Sequence, residues 1–231
     1  QGKAAMVTIA VASFVIIIAV AVSGGFRYEL RKGIAELSGD IQITSPYMDY
    51  IGEEHPVTLG EELESAITAL DGVDHIVPAV YRAGIVKAGT NIHGVIFKGI
   101  PGGGDSLRVS IPERLASMLG MKPGDRMLTY FIGEAVKVRN FNVVSVYEGI
   151  MDNSDELVVI ADIKDLQRLN GWDENEVSML EVSLAPHARD AASMSRITAE
   201  IGEIVLERQG DDEDTLIPTS VMDRYPQIFD W

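Results

Sequence analysis

Residues 4–22 form an apolar run without a charged side chain, in which Thr8 and Ser13 are the only polar residues. About 20 consecutive apolar residues span the hydrocarbon core of a bilayer as an α-helix. The β-branched residues at 15–18 do not oppose this helix, because lipid offers the backbone no other hydrogen-bond partner. We therefore expect a transmembrane helix over residues 1–25.

A cleavable signal peptide is the alternative, since residues 19–21 (AVA) resemble a small-residue cleavage site. The residues that follow favour an anchor instead. Apolar side chains at positions 26, 30, 34 and 37 have the spacing of one helical face. We expect this amphipathic segment, residues 26–39, to be a stalk helix that leaves the membrane. The chain begins at Gln1 rather than at Met, and we expect it to be part of a longer protein.

The remaining composition excludes several classes of function. The chain has no cysteine, which excludes disulfides, thiolate metal ligands and cysteine nucleophiles. Its formal net charge is −16, and an acidic surface repels nucleic acid. We therefore expect no nucleic-acid partner for the part that follows the stalk.

The pattern of apolar residues predicts an α+β domain over residues 40–218. Two β-α units are expected to flank an inserted β-rich subdomain at about 95–150, where turn residues are dense. The two ends of the domain should close on each other at its base, since chain termini often lie close together. Residues 219–231 would then return towards the membrane, with aromatic residues at its interface. A terminal helix packed on the domain is an equal alternative.

No motif in the chain predicts catalysis or a bound cofactor. Residues 99–104 (GIPGGG) lack the Gly-Lys-Ser/Thr ending of a phosphate-binding loop, so a turn is the better interpretation. The four histidines are scattered without metal-ligand spacing. The acidic clusters at 152–156 and 211–214 do not follow the pattern of a calcium loop. We expect no catalytic, cofactor-binding or metal-binding residue and no enzymatic activity.

Several segments, in order along the chain, resemble a known superfamily of transporter permeases. The anchor followed by residues 25–30 (GFRYEL) resembles the first membrane helix and stalk of this superfamily, and residues 39–44 (GDIQIT) its first strand. Residues 110–125 (SIPERLASMLGMKPGD) are the most specific stretch, and residues 144–149 (VSVYEG) also fit. Residues 225–231 (YPQIFDW) resemble the segment before the second membrane helix. The chain thus resembles ABC transporter permeases of the MacB/FtsX superfamily, with the lipoprotein-releasing (LolC/LolE-type) branch the nearest.

This resemblance implies a permease in the bacterial inner membrane with its large domain in the periplasm. It implies a cytoplasmic ABC ATPase and a second permease subunit, the same or related, as partners. The lipoprotein-releasing branch adds lipoprotein cargo, a periplasmic chaperone and membrane lipid. Phe26 and Leu30 on the stalk are the positions where a lipid chain or cargo would make contact.

Three other functions remain open at this stage. One is an FtsX-like mechanotransmitter that regulates a cell-wall hydrolase without transporting anything. Another is a MacB-like efflux component, which should carry a fused ATPase before the first helix. The last is a secreted binding domain, which would require cleavage near Ala21.

Overall fold

The computed structural model describes residues 6, 11–22, 25, 33, 38–48, 55–58, 60–89, 91–102, 106–149, 157–208 and 216–226. Residues 11–22 are helical, and apolar side chains such as Phe14 and Ile17 are 63% and 64% exposed. Within the described ranges, no helix is both long enough and apolar enough to cross a membrane. The transmembrane helix over residues 1–25 therefore stays a prediction. Most of the predicted stalk, including Phe26 and Leu30, lies outside the described residues.

Eleven strands, five α-helices and a short 3-10 helix make up the domain in the described part of the chain. In chain order they are β1 (Ile41–Thr44), β2 (Val57–Thr58), α1 (Glu61–Thr68), β3 (Val73–Ala88), β4 (Asn91–Ile100), β5 (Arg108–Pro112), α2 (Glu113–Leu119), β6 (Arg126–Phe131), β7 (Lys137–Tyr147), β8 (Val158–Asp162), α3 (Ile163–Asn170), β9 (Glu176–Val177), β10 (Met179–Leu184), the 3-10 helix (Pro186–Ala188), α4 (Ala191–Arg208), β11 (Ile217–Ser220) and α5 (Val221–Arg224).

One half of the domain, the sheet half, is an antiparallel sheet in the order β11-β1-β10-β3. Helix α4 packs against this half through Met194, Ile197, Ile201 and Val205, all of which are buried. These residues follow the spacing of one helical face, so α4 forms because the sheet buries its apolar stripe. Strand β10 has buried residues on both of its faces, which is why its sequence is apolar almost throughout.

The other half is a closed barrel of six strands, in the order β3-β4-β8-β5-β7-β6 and back to β3. Its interior contains Phe97, Phe131 and Phe141, whose ring centroids lie 5.0–6.2 Å apart. Aromatic rings at such distances and inclined to one another pack favourably. Gly84 gives the rings room, because a Cβ at this position would lie 3.0 Å from the Phe131 ring.

The two halves share strand β3. Residues 73–79 of β3 pair with β10, and residues 80–88 pair with β4. The predicted inserted subdomain, about 95–150, coincides with the middle of the barrel, but the barrel also takes in the second part of β3 and strand β8. Strand β8 was expected to belong to a β-α unit outside the subdomain. It lies in the barrel because it pairs in parallel with β4 and antiparallel with β5.

The predicted closure of the two ends of the domain is confirmed. Strand β1, which begins the domain, pairs antiparallel with β11, which ends it, and Ile41 lies opposite Ser220. Both connections of the domain therefore leave at the same end of the β1–β11 pair. We call residues 38–42 and 220–225 the base.

Candidate functional site

The base is built around a tight turn at Gly39 that directs the chain into β1. Gly39 has a φ of +73°, a conformation that only glycine adopts without strain. A Cβ here would also lie 3.1 Å from Glu181 Cβ and from the Val182 carbonyl oxygen. The chain can therefore enter the sheet at this angle only with glycine at position 39.

Asp40 ties both connections of the domain together. Its backbone N–H donates to the Val182 carbonyl at 2.9 Å, and its own carbonyl accepts from the Val221 N–H at 2.9 Å. The Asp40 carboxylate is 2% exposed and accepts from the Leu184 N–H at 2.8 Å and from Arg189 Nε at 3.2 Å. One residue thus contacts the end of β10, the start of α5 and the segment that leads into α4.

The environment of Asp40 shifts the proton affinity of its carboxyl group. Burial raises the pKa of Asp40 above its ordinary value, because an ionised carboxylate loses its hydration there. The Leu184 N–H and the Arg189 guanidinium act in the opposite direction but do not cancel the effect of burial. The base therefore contains a carboxyl group that takes up protons more readily than an exposed aspartate does.

A second set of contacts joins the end of the domain to its beginning. The Ser220 hydroxyl caps α5, accepting from the Asp223 N–H at 3.2 Å and donating to the Asp223 carboxylate at 2.6 Å. Arg224 donates to the side chain of Gln42, which in turn donates to the Ser38 carbonyl at 3.0 Å. A displacement of either connection would therefore reach the other through direct contacts.

The sheet half and the barrel are joined by a buried ion pair, which we call the junction. Lys98 Nζ on β4 lies 2.6 Å from Glu181 Oε2 on β10, and both side chains are 6% exposed. The hydroxyl of Tyr81 on β3 donates to Glu181 Oε1 at 2.5 Å. The Tyr81 N–H donates to the Ser178 hydroxyl at 2.8 Å. The charges of the junction are thus compensated at the position where β3 passes from one half into the other.

The residues predicted from sequence and those found in the structure differ. Phe26 and Leu30 lie outside the described residues, so their predicted contacts with lipid or cargo are untested. Asp40 and the junction residues were not singled out from the sequence. The sequence nevertheless contained an indication of this buried ion pair, because Lys98 and Glu181 each interrupt an apolar strand. Charged residues are rarely buried unless they are paired.

The described part of the chain has no candidate metal centre. No group of three or more His, Asp or Glu side chains is placed to hold a metal within it. His75 Nδ1 lies 2.8 Å from the neighbouring Asp74 carboxylate at the surface. The base holds the two ends of the domain together, and the junction holds the sheet half and the barrel together.

Comparison with solved structures identifies the fold. No protein-family model and no curated protein sequence matches the chain. The extracellular domain of the noncanonic ABC-type transporter YknZ from Gram-positive bacteria matches with a TM-score of 0.50 and 15% identity, over 78% of this chain and 99% of that one. This chain has the fold of an ABC transporter's external domain. The periplasmic region of MacB from Actinobacillus actinomycetemcomitans also matches with a TM-score of 0.50, at 10% identity, over 82% of this chain and 92% of that one.

Proposed function

We propose that this chain is part of the permease subunit of an ATP-driven ABC transporter complex, with its domain outside the cytoplasm. The fold shared with the external domains of YknZ and MacB is the observation that carries the proposal. The apolar run at residues 4–22 supports it, because such a run would place an anchor directly before the domain. The paired ends of the domain support it further, because both connections leave at the same end of the β1–β11 pair.

In this function the domain works as a mechanical part rather than as an enzyme. ATP is hydrolysed on a separate cytoplasmic subunit, and the motion enters the domain through residues 26–39 and the segment after β11. It reaches the base, where Asp40 and Arg224 contact both connections. Strand β3 then transmits it to the barrel over 16 residues, a length of roughly 50 Å for an extended strand. The ion pair at the junction keeps the two halves from rotating independently.

The cargo in this proposal is lipoprotein released from the inner membrane. Support comes from residues 225–231 (YPQIFDW), which resemble the segment before the second membrane helix of lipoprotein-releasing permeases. A second permease subunit, the same or related, would complete the complex, and a periplasmic chaperone would receive the lipoprotein. Phe26 and Leu30 would then contact the lipid chains, since both are apolar and lie on one face of the predicted stalk.

A second function is a MacB-like efflux component, which is favoured by the shared fold with the periplasmic region of MacB. Purification of the full-length protein in mild detergent, with mass spectrometry of everything that co-purifies, separates lipoprotein release from hydrolase regulation, and an ATPase fused before the first helix would favour MacB-like efflux. An ATPase together with triacylated lipoproteins is the expected result. An ATPase with a cell-wall hydrolase and no lipoprotein would favour the mechanotransmitter instead, and the absence of any ATPase would overturn the permease assignment.

The contact with cargo can be tested at single positions in the same preparation. A photo-crosslinking amino acid at Phe26 or Leu30 is expected to capture lipoprotein. The same amino acid at Tyr28, two positions from each of them and so on the opposite face of the predicted helix, is the matched control and should capture much less. Equal capture at all three positions would show that the stalk has no specific lipid-facing side.

A further inference from the structure

The outer surface of four adjacent barrel strands, β7-β6-β3-β4, is unusually apolar. Residues paired across neighbouring strands point to the same side of a sheet. The register therefore places two rows on the outside of the barrel. The first row is Val138, Tyr130, Ile85 and Gly94, and the second is Asn140, Leu128, Lys87 and Ile92. We call these eight residues the outer barrel face.

The alternation of burial along the strands confirms which side faces outward. On β6, Met127, Thr129 and Phe131 are buried, whereas Leu128 and Tyr130 between them are partly exposed. Ile92 is 59% exposed and Val138 is 44% exposed. Five of the eight residues carry large apolar side chains, and contiguous exposed apolar surface on a folded domain commonly marks a binding site.

The charge on this face differs from that of the chain as a whole. No Asp or Glu is among the eight residues, and Lys87 is the only charged one. Arg126 follows on the same side of β6 and is exposed. Residues 80–149 contain nine Lys and Arg but five Asp and Glu, a formal charge of +4 within a chain of −16. The cations of the chain are therefore concentrated in the barrel.

We propose that the outer barrel face docks another extracytoplasmic protein through a surface of apolar side chains flanked by carboxylates. The apolar rows provide the area that such an interface buries, and Lys87 with Arg126 provides the complementary charge. This inference goes beyond the transport function, because it concerns a surface distant from the base. Strand β3 carries Lys87 ten residues beyond Val77, which pairs with Glu181, and this separation is roughly 30 Å along an extended strand.

Charge argues against an anionic membrane and against a second copy of this chain as the partner of the outer barrel face. An anionic bilayer would be repelled by a chain of net charge −16. A second copy related by a two-fold axis would place this face against itself. The Lys87 side chains would then lie close together with no carboxylate of either outer barrel face between them. A bilayer is an extended plane that faces the rest of this acidic chain as well, whereas an acidic apolar protein surface of limited size contacts only the outer barrel face and its cations.

The test uses the full chain in nanodiscs of zwitterionic lipid and two labelled helical peptides with the same apolar face. One peptide has Glu at its polar positions and the other has Lys. By fluorescence anisotropy, the Glu peptide is expected to bind at least tenfold more tightly, and 500 mM salt should weaken its binding. Equal affinity of the two peptides, or no binding of either, overturns the proposal.

Variants assign the binding to the outer barrel face. Lys87→Gln should weaken binding of the Glu peptide at least threefold, and the double variant Ile92→Ser/Val138→Ser at least fivefold. Arg196→Gln is the matched control: it removes one cation from the surface of α4, where the side chain is 47% exposed, and should leave the affinity unchanged. Binding that survives all the variants of the face overturns the assignment.

Two further measurements test whether a membrane or a second copy of the chain binds the outer barrel face instead. Flotation with vesicles of three parts phosphatidylcholine to one part phosphatidylglycerol is expected to show no binding through the face. Lys87-dependent flotation would overturn the proposal in favour of a membrane. Sedimentation of the nanodiscs is expected to show no self-association through the outer barrel face. Self-association that is lost in Ile92→Ser would overturn the proposal in favour of a second copy.

Discussion

The ion pair between Lys98 and Glu181 should be the most strongly coupled pair of charges in the described part of the domain. Both side chains are 6% exposed and their charged atoms lie 2.6 Å apart. Removing one partner leaves a buried charge without compensation, which costs about 3–5 kcal/mol. Lys98→Met and Glu181→Gln should each lower the free energy of unfolding by about this amount.

The double variant should cost much less than the sum of the two single changes. Met has nearly the volume of the lysine stem, and Gln at position 181 still accepts a hydrogen bond from Tyr81. We expect the double variant to lose only about 1–2 kcal/mol, so that the coupling energy is about 4 kcal/mol or more. Urea denaturation of the four proteins in mild detergent, followed by circular dichroism, measures this coupling energy.

A surface pair provides the matched control. Arg196 and Glu200 lie 2.8 Å apart on α4 and are 47% and 36% exposed. A cycle of alanine variants at these two positions should give a coupling energy of about 0.3–0.5 kcal/mol. If the cycle at Lys98 and Glu181 gives a value no larger than this control, the ion pair does not hold the two halves together and the reasoning is wrong.

Three other changes test the base and the packing around the barrel. Because burial raises the pKa of Asp40, its contribution to stability is full below pH 3.8 and is lost as the pH rises through the raised pKa. Asp40→Asn should therefore gain stability relative to the wild type as the pH rises, measured by urea denaturation between pH 3.5 and 7. Gly99→Ala should lose roughly 1–3 kcal/mol by thermal denaturation, because its Cβ would lie 2.9 Å from the Ile163 backbone. Burial also raises the pKa of Tyr147 to about 12. The protonated Tyr147 hydroxyl donates to the Val158 carbonyl at 2.6 Å. The stability that this protonated hydroxyl contributes is therefore full below pH 10 and is lost as the pH rises through 12. Tyr147→Phe should cost about 1 kcal/mol at pH 7, and the loss should shrink above pH 11 in a pH series.

Local elements with strong apolar patterns were predictable from sequence. The alternation of residues 178–184 predicts a strand, and the structure has one at Met179–Leu184. The amphipathic pattern of residues 188–208 predicts a long helix, and the structure has one at Ala191–Arg208 after a short 3-10 turn. Helix α4 buries one apolar stripe and β10 is apolar except at Glu181 and Ser183, so their own sequences largely determine them.

Other elements depend on contacts that a local pattern does not contain. The local pattern predicts two separate strands at residues 73–80 and 83–87, but β3 runs without a break through the buried Tyr81 and Arg82. Arg82 interrupts the apolar pattern, and its guanidinium reaches the Ile132 carbonyl at 3.0 Å, far away in sequence. The sequence also predicts a helix over residues 111–119 with Ser110 as its N-cap. In the structure the Ser110 hydroxyl lies 2.6 Å from that of Ser145, and α2 begins two residues later than predicted, after Pro112. Asp40 and the junction could not be predicted for the same reason, since their partners lie 83 to 149 positions away.

The closure of the barrel restricts how other proteins can recognise this domain. Each of its six strands is hydrogen-bonded on both sides over part of its length. Among the described residues, 91–95 of β4 and 137–141 of β7 are paired on one side only, so an extended peptide could add as a further strand only over such short stretches. The sheet half ends in β11, where Pro218 lacks one of the N–H groups that such an addition would use. A partner of the barrel therefore recognises mainly side chains on a face, so single substitutions on that surface should change its affinity.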